Sequence, residues 1–313
     1  MASSAPYVPF LIGTLRDEIN AKTLQDMFTN TREAWHPPGA RGIFGGVAIA
    51  QCIAAGQRTV DADFAIHSCH CYFLLAGSNS IPITYHVERV RDGRSFATRT
   101  VQARQRGKCI FTTTMSFMKE APGMKNLSHA VGMGGGAPPD EEGGGTDAIE
   151  IKGAEVTGGS TPGERKCSHW VRAKGKISPG AQVAALAYMT DWFFLGTIPR
   201  VHELFPPAVS SPGDRAKHKV ESNPNGIGDA PSGGEEERPE IGMMVSLDHS
   251  IYFHEPGLIK ADEWMFTEMQ SPWAGNGRGV VTSRVFNRDG VLLATCMQEG
   301  VMRLKQDKNK AKL

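Results

Sequence analysis

From Ala181 to Leu195 the chain reads AQVAALAYMTDWFFL, fifteen residues interrupted by a single acid, Asp191. A segment apolar on every side reads as a buried helix. Its small residues Ala184, Ala185 and Ala187 let such a helix lie close against another element. It is too short to cross a bilayer. A carboxylate on a buried helix is costly unless it is paired or hydrogen-bonded. What the rest of the chain supplies to Asp191 is therefore the organising question.

The pattern elsewhere is simple. A short helix is expected near Thr23–Phe28, and Trp35 to Gly39 form a Pro/Gly loop. Gly42–Thr59 reads as a small-residue helix with the pair Gly45-Gly46 near its start, a device for close backbone packing. Alternating runs then predict strands at Ile66–Leu74, Ile81–Arg91, Ser95–Arg104 and Lys108–Met118. They are separated by turns at Gly77-Ser78-Asn79, Asp92-Gly93 and Arg106-Gly107, as in an antiparallel meander. Residues 1–120 thus read as one helix-and-sheet unit. Residues 121–164, with twelve glycines, read as a linker. From 165 to 313 the order repeats. The apolar helix comes first, and strands follow at Met243–His254, Trp264–Gln270, Gly279–Asn287 and Leu292–Leu304. A loop-like insert with six prolines, about 206–240, interrupts this half.

The halves align. Tyr72-Phe73 corresponds to Tyr252-Phe253 at an offset of 180, and Gly107 and Thr112 correspond to Gly290 and Thr295 at 183. Helix, strand order and turns repeat together, which indicates an internal duplication.

Composition narrows the class. Hydrophobic residues make up 40% and charged residues 21% of 313, with a net charge of +1, so neither nucleic acid nor an acidic membrane surface is indicated as a partner. No apolar run is long enough for a membrane span. The six cysteines form no CxxC pair, so no metal site is expected and they read as reduced, mostly buried thiols. No cofactor motif stands out.

RGIFGGVAIAQ (Arg41–Gln51), HSCHCYFLLAG (His67–Gly77), RDGRSFATR (Arg91–Arg99), LDHSIYFH (Leu247–His254) and DGVLLATCMQEGVMR (Asp289–Arg303) together resemble the type II acyl-CoA thioesterases, nearly along the whole chain apart from linker and insert. The resemblance implies an α+β tandem double hotdog, each half a curved antiparallel sheet wrapped around a central helix. It also implies a catalytic set of Asp191, Ser246 and Gln298, with Ser where bacterial members resemble Thr. Gly45, Gly46, Arg94 and Ser95 are the candidate substrate-binding residues. Hotdog sheets commonly pair, so a homo-oligomer is expected.

The chemistry of that set is coherent. Asp191 can act as a general base on water, with burial raising its pKa and hydrogen bonds lowering it. Ser246 and the Gln298 amide can hold the water, and backbone N–H groups at a helix start can meet the oxyanion. His67, His70, His249 and His254 read as satisfied structural histidines, and no GxSxG motif is present. Two other functions stay open: a hotdog enoyl-CoA hydratase, which wants an Asp/His pair that Asp191 lacks within five residues, and a non-catalytic acyl-CoA binding or scaffold protein. The C-terminal Ala311-Lys312-Leu313 is a close variant of the peroxisomal Ser-Lys-Leu address, so a peroxisomal import receptor is an expected partner, with the cytoplasm as the alternative location.

Overall fold

A computed structural model of the chain describes residues 12–14, 26–119, 127–139, 144–145, 148–204 and 239–306. The first half contains β1 (Ile12–Thr14), β2 (Met27–Asn30), α1 (Gly45–Gln57), β3 (Phe64–Phe73), β4 (Thr84–Asp92), β5 (Phe96–Gln105) and β6 (Lys108–Lys119). Then come β7 (Gly144–Gly145), β8 (Ile149–Thr157), β9 (Lys166–Ala173), α2 (Gln182–Thr190) and α3 (Thr197–Val201). The chain closes with β10 (Ile241–Ser246), β11 (Asp248–Phe253), β12 (Met265–Gly275), β13 (Arg278–Phe286) and β14 (Leu292–Leu304).

All pairings are antiparallel, and the strands run β1-β2-β4-β5-β6-β3-β11-β14-β13-β12-β9-β8-β7, with β10 also on β14. With β3 matched to β11, β6 to β14, β5 to β13, β4 to β12, β2 to β9 and β1 to β8, the order reads alike from either side of the β3–β11 seam. In that seam His70 faces Ser250, which is also its counterpart at offset 180, and His70 Nδ1 lies 2.9 Å from Ser250 Oγ. A pseudo-twofold axis therefore passes through this pair. Both main helices are buried in one core beneath the curved sheet, α1 against α2.

Several elements differ from the sequence expectations. Within the stretch expected to be a helix near Thr23–Phe28, residues 21–25 lie outside the described ones, and Met27–Asn30 is a strand that buries Phe28 beside Tyr85. The stretch assigned to a linker, 121–164, contains strand β8, because Ile149 and Ile151 alternate with Glu150 and Lys152 and pair with β9. Residues 127–139 have no regular structure. The expected Met243–His254 strand is two strands interrupted at Leu247. The insert's residues 205–238 and the C-terminal tripeptide lie outside the described residues.

The Ala181–Leu195 helix is also shorter than its apolarity suggests. It ends at Thr190, and Asp191 is its C-cap. Phe193 has φ +61, a left-handed conformation that no bulky residue adopts cheaply and that no helix can continue through. Its ring is held by the Arg200 guanidinium, 4.4 Å from the centroid, and by His169 at 5.7 Å. At the opposite end of the helix pair, α1 is closed by Arg99, only 1% exposed, which donates to Thr59 Oγ1 (2.7 Å) and Thr59 O (2.8 Å) and pairs with Asp92. A cation there complements the helix C-terminus.

α1 and α2 approach so closely that a Cβ on Gly46 would lie 2.5 Å from Phe44 Cε1 and press on the Tyr188 carbonyl. Helix propensity alone favours Ala over Gly by about 1 kcal/mol. Gly46→Ala should nonetheless lower the urea midpoint, by roughly 1–3 kcal/mol of strain from overpacking. A variant as stable as wild type in urea denaturation would show that the helices can part without cost.

Candidate active site

The end of α2 delivers Asp191 to the start of α1. A Cβ on Gly45 would fall 2.7 Å from Asp191 Oδ2 and 2.6 Å from Phe73 Cε1, so only glycine admits the carboxylate this near the helix backbone. The Gly46 N–H donates to the Asp191 carboxylate. The positive end of the α1 dipole therefore faces the negative charge. From β14, Gln298 Nε2 donates to Asp191 Oδ1 at 2.8 Å. Gln298 is fully buried, and its Oε1 has no hydrogen-bond partner.

These contacts oppose burial. Enclosure by protein pushes the Asp191 carboxyl up to about 7, against the downward pull of the Gln298 amide and the Gly46 N–H. Asp191 nevertheless keeps part of its surface accessible. It is thus a carboxylate that titrates near neutrality at a place water can reach, which is what a general base needs.

The structure brings Asp191, Gln298, Gly45 and Gly46 together. Ser246 comes near without joining them. It pairs with Gly300, two residues beyond Gln298 on the same face of β14. A Cβ at Gly300 would lie 2.5 Å from Leu195, so this face looks onto the helix layer. Among the described residues the Ser246 hydroxyl makes no hydrogen bond to Asp191 or Gln298. The structure does not bring Arg94 and Ser95 to Asp191. They are exposed in the β4–β5 turn, next to the Arg99 cluster that closes the C-terminal end of α1. Thirteen residues of helix, roughly 20 Å, separate that end from Gly45. Their RDGRS string marks a hairpin, and a turn of that composition is uninformative about which helix end it overhangs.

The four flagged histidines each meet a hydroxyl: His67 with Ser116, His70 with Ser250, His254 with Thr295, and His249 with Thr190. The six cysteines are free thiols, five of them buried.

The duplicated half has no counterpart of this site. At the observed offsets Ser246 corresponds to Ile66, Gln298 to Met115 and Gly300 to Phe117, and the Ile66–Phe117 pair matches the Ser246–Gly300 pair. All three N-terminal residues are at most 1% exposed, and Met115 packs on Gly56 of α1.

The sequence matches two family descriptions, "Acyl-CoA thioesterase N-terminal domain" over residues 31–118 and "Acyl-CoA thioesterase C-terminal domain" over residues 124–302. It is 34% identical to acyl-coenzyme A thioesterase 8 of Mus musculus, covering 94% of this chain and 90% of that protein. It is 41% identical to peroxisomal acyl-coenzyme A thioester hydrolase 1 of Saccharomyces cerevisiae over 26% of this chain and 23% of that one. The structure of acyl-CoA thioesterase II TesB2 from Mycobacterium marinum superposes with a TM-score of 0.67 at 26% identity, over 95% of this chain and 96% of that one. The fold is a double hotdog. The chain belongs to the acyl-CoA thioesterase family, specifically its type II branch, and is a hydrolase.

Burial of Asp191 has a measurable consequence. Its pKa is raised from 3.8 to about 7, so the native protein keeps a proton that the unfolded chain has released. That contribution to stability is complete below pH 3.8 and is lost as pH rises through about 7. Asp191→Asn, which stays neutral, should gain in Tm over wild type as pH is raised from 4 to 8. A Tm difference independent of pH would mean that the carboxyl titrates normally.

Proposed function

We propose that the chain hydrolyses fatty acyl-CoA to fatty acid and CoA, with Asp191 as general base on a water held by Gln298 and Ser246. The observation that carries this is the partly buried Asp191–Gln298 hydrogen bond at the N-terminus of α1. Asp191 takes a proton from water as its oxygen attacks the thioester carbonyl. A new C–O bond forms, the negative charge on the carbonyl oxygen is met by backbone donors at the α1 start, and the C–S bond then breaks. The proton on Asp191 passes to the departing thiolate, which restores the base. The thiolate leaves readily, so most of the work lies in orienting and deprotonating water.

The hydratase alternative needs an acid paired with a histidine. The histidine on the strand beside this site, His249, bonds Thr190 rather than Asp191. A non-catalytic binding protein would have no use for a base poised near neutrality, since a desolvated carboxylate weakens the fold above pH 7.

A thiol-release assay over a panel of acyl-CoA chain lengths decides the matter. Wild type should turn over, and Asp191→Asn should lower kcat by ~10²–10⁴-fold with little change in KM. Gln298→Ala and Ser246→Ala should each cost less, because the base remains. Wild-type turnover by a folded Asp191→Asn protein would dispose of this mechanism.

We also propose a peroxisomal location, which the peroxisomal name of the yeast relative and the tripeptide Ala311-Lys312-Leu313 support. Deleting Leu313 should move a fluorescently tagged protein from peroxisomes to cytosol while leaving activity in vitro unchanged. Retained import would show that this tripeptide is not the address.

A further inference from the structure

Beside the Asp191–Gln298 pair stand two buried polar atoms that meet no partner among the described residues. Gln298 Oε1 has no partner, and neither has Nδ1 of His249, a residue with 0% exposure. They are neighbours across two strands. β11 and β14 pair Ser250 with Met297, and His249 and Gln298 are the next residues on the two strands. In the other half the equivalent residues, Cys69 and Met115, stand directly opposite each other, at the same offsets of 180 and 183. There both side chains are sulfur-bearing and weakly polar, and need no donor. In the C-terminal half both positions are polar, and both present an unmet acceptor.

The tautomer of His249 follows from Thr190. The Thr190 hydroxyl hydrogen is given to Ala187 O at 2.8 Å, so its oxygen accepts from His249 Nε2 at 3.0 Å. Nε2 therefore carries the hydrogen and Nδ1 is a bare acceptor. Leaving two adjacent acceptors unsatisfied in a core is expensive, and a water with two hydrogens satisfies both.

We propose that His249 is a positioning residue for Gln298: His249 Nδ1 and Gln298 Oε1 share one buried water donor, and this fixes the Gln298 amide with its NH2 toward Asp191. Without the shared donor the amide can turn its oxygen to Asp191, where it repels the carboxylate instead of stabilising it. This rests on the proposed role of Asp191 as the base. His249 is no part of the reacting set and does not titrate in the working range, because burial pushes it down to about 3. The buried titratable groups on the inward faces of the packed elements are Cys296 on β14, Cys69 and Cys71 on β3, Cys52 on α1 and Tyr188 on α2. Burial pushes the Cys296 thiol up to about 12 and raises that of Cys52, and Cys69 is raised by its hydrogen bond with Cys71 and by burial, so these three thiols are neutral near pH 7. Asp248 and Glu299 alternate with His249 and Gln298 along their strands and so face the other side of the sheet.

Two amide substitutions separate positioning from mere packing. The amide of Asn reaches the position of Nδ1, whereas the amide of Gln reaches that of Nε2. His249→Asn therefore keeps a polar atom toward Gln298, and His249→Gln keeps the bond to Thr190. The readout is the acid limb of kcat/KM against pH, with thermal melts as the control for folding. In His249→Gln and His249→Phe the limb should move up by about one pH unit, the worth of one hydrogen bond to a carboxylate. In His249→Asn it should stay at the wild-type position, even if this variant melts lower. An unmoved limb in folded His249→Gln, or a limb displaced equally in His249→Asn, overturns the proposal. Should wild type lack an acid limb that Asp191→Asn abolishes, the general-base reading has failed instead.

Discussion

Everything in this fold that bears on chemistry depends on holding one carboxylate where water would ordinarily have to solvate it. Asp191 is largely enclosed by two packed helices and a sheet, and among the described residues two kinds of donor reach it: the backbone at the start of α1 and the amide of Gln298. Neither is a cation. A salt bridge would have held the charge better but would have pulled the pKa far below neutrality and left a poor base. Neutral donors stabilise the ion only partly, and a carboxyl near 7 is the outcome. The glycine pair is the geometric condition for this. Any side chain at Gly45 would collide with Asp191 Oδ2, and any at Gly46 with Tyr188 and Phe44.

The duplication shows what that arrangement costs. In the N-terminal half the same sheet positions carry Ile66, Met115 and Phe117, which fill the space above α1 without any polar group. That copy makes an ordinary core. In the C-terminal half Ser246 and Gln298 bring polar atoms and Gly300 makes way for Leu195, and the strained φ of Phe193 ends the helix where Asp191 must turn inward. Strain of this kind persists only where its surroundings enforce it, and here Arg200 and His169 clamp the ring. One half thus contributes stability and the N-terminus of α1, and the other contributes the base.

Much of this was legible in the residues. Period-two alternation located β3 to β6 and β12 to β14 to within a few positions, and the paired offsets of 180 and 183 indicated the duplication, though not the β3–β11 seam whose axis passes through His70 and Ser250. The isolated acid in an apolar run pointed to Asp191. Other features were not legible, for physical reasons. Apolarity says that a segment is buried but not where its helix stops, so the break after Thr190, set by one dihedral angle at Phe193, was invisible. β8 was hidden because glycine-rich sequence surrounds it and its neighbour in the sheet is supplied by tertiary pairing. The distance of Arg94 and Ser95 from Asp191 was not legible, because a hairpin motif does not say which end of the helix it overhangs. The contact between Gly46 and Asp191 joins residues 145 positions apart, and spacing along a chain holds no trace of such a meeting.

The claim that a buried, neutrally solvated carboxylate is held near neutrality can be measured without substrate. Carbon-13 NMR of protein labelled at the aspartate carboxyl carbons would follow each titration, with Asp191→Asn identifying the signal concerned. The account predicts that the signal lost in Asp191→Asn titrates with a midpoint near 7. It also predicts that this midpoint rises further in Gln298→Met, which removes the amide donor. A midpoint in the ordinary aspartate range, about 3–4, or one unmoved by Gln298→Met, would contradict it.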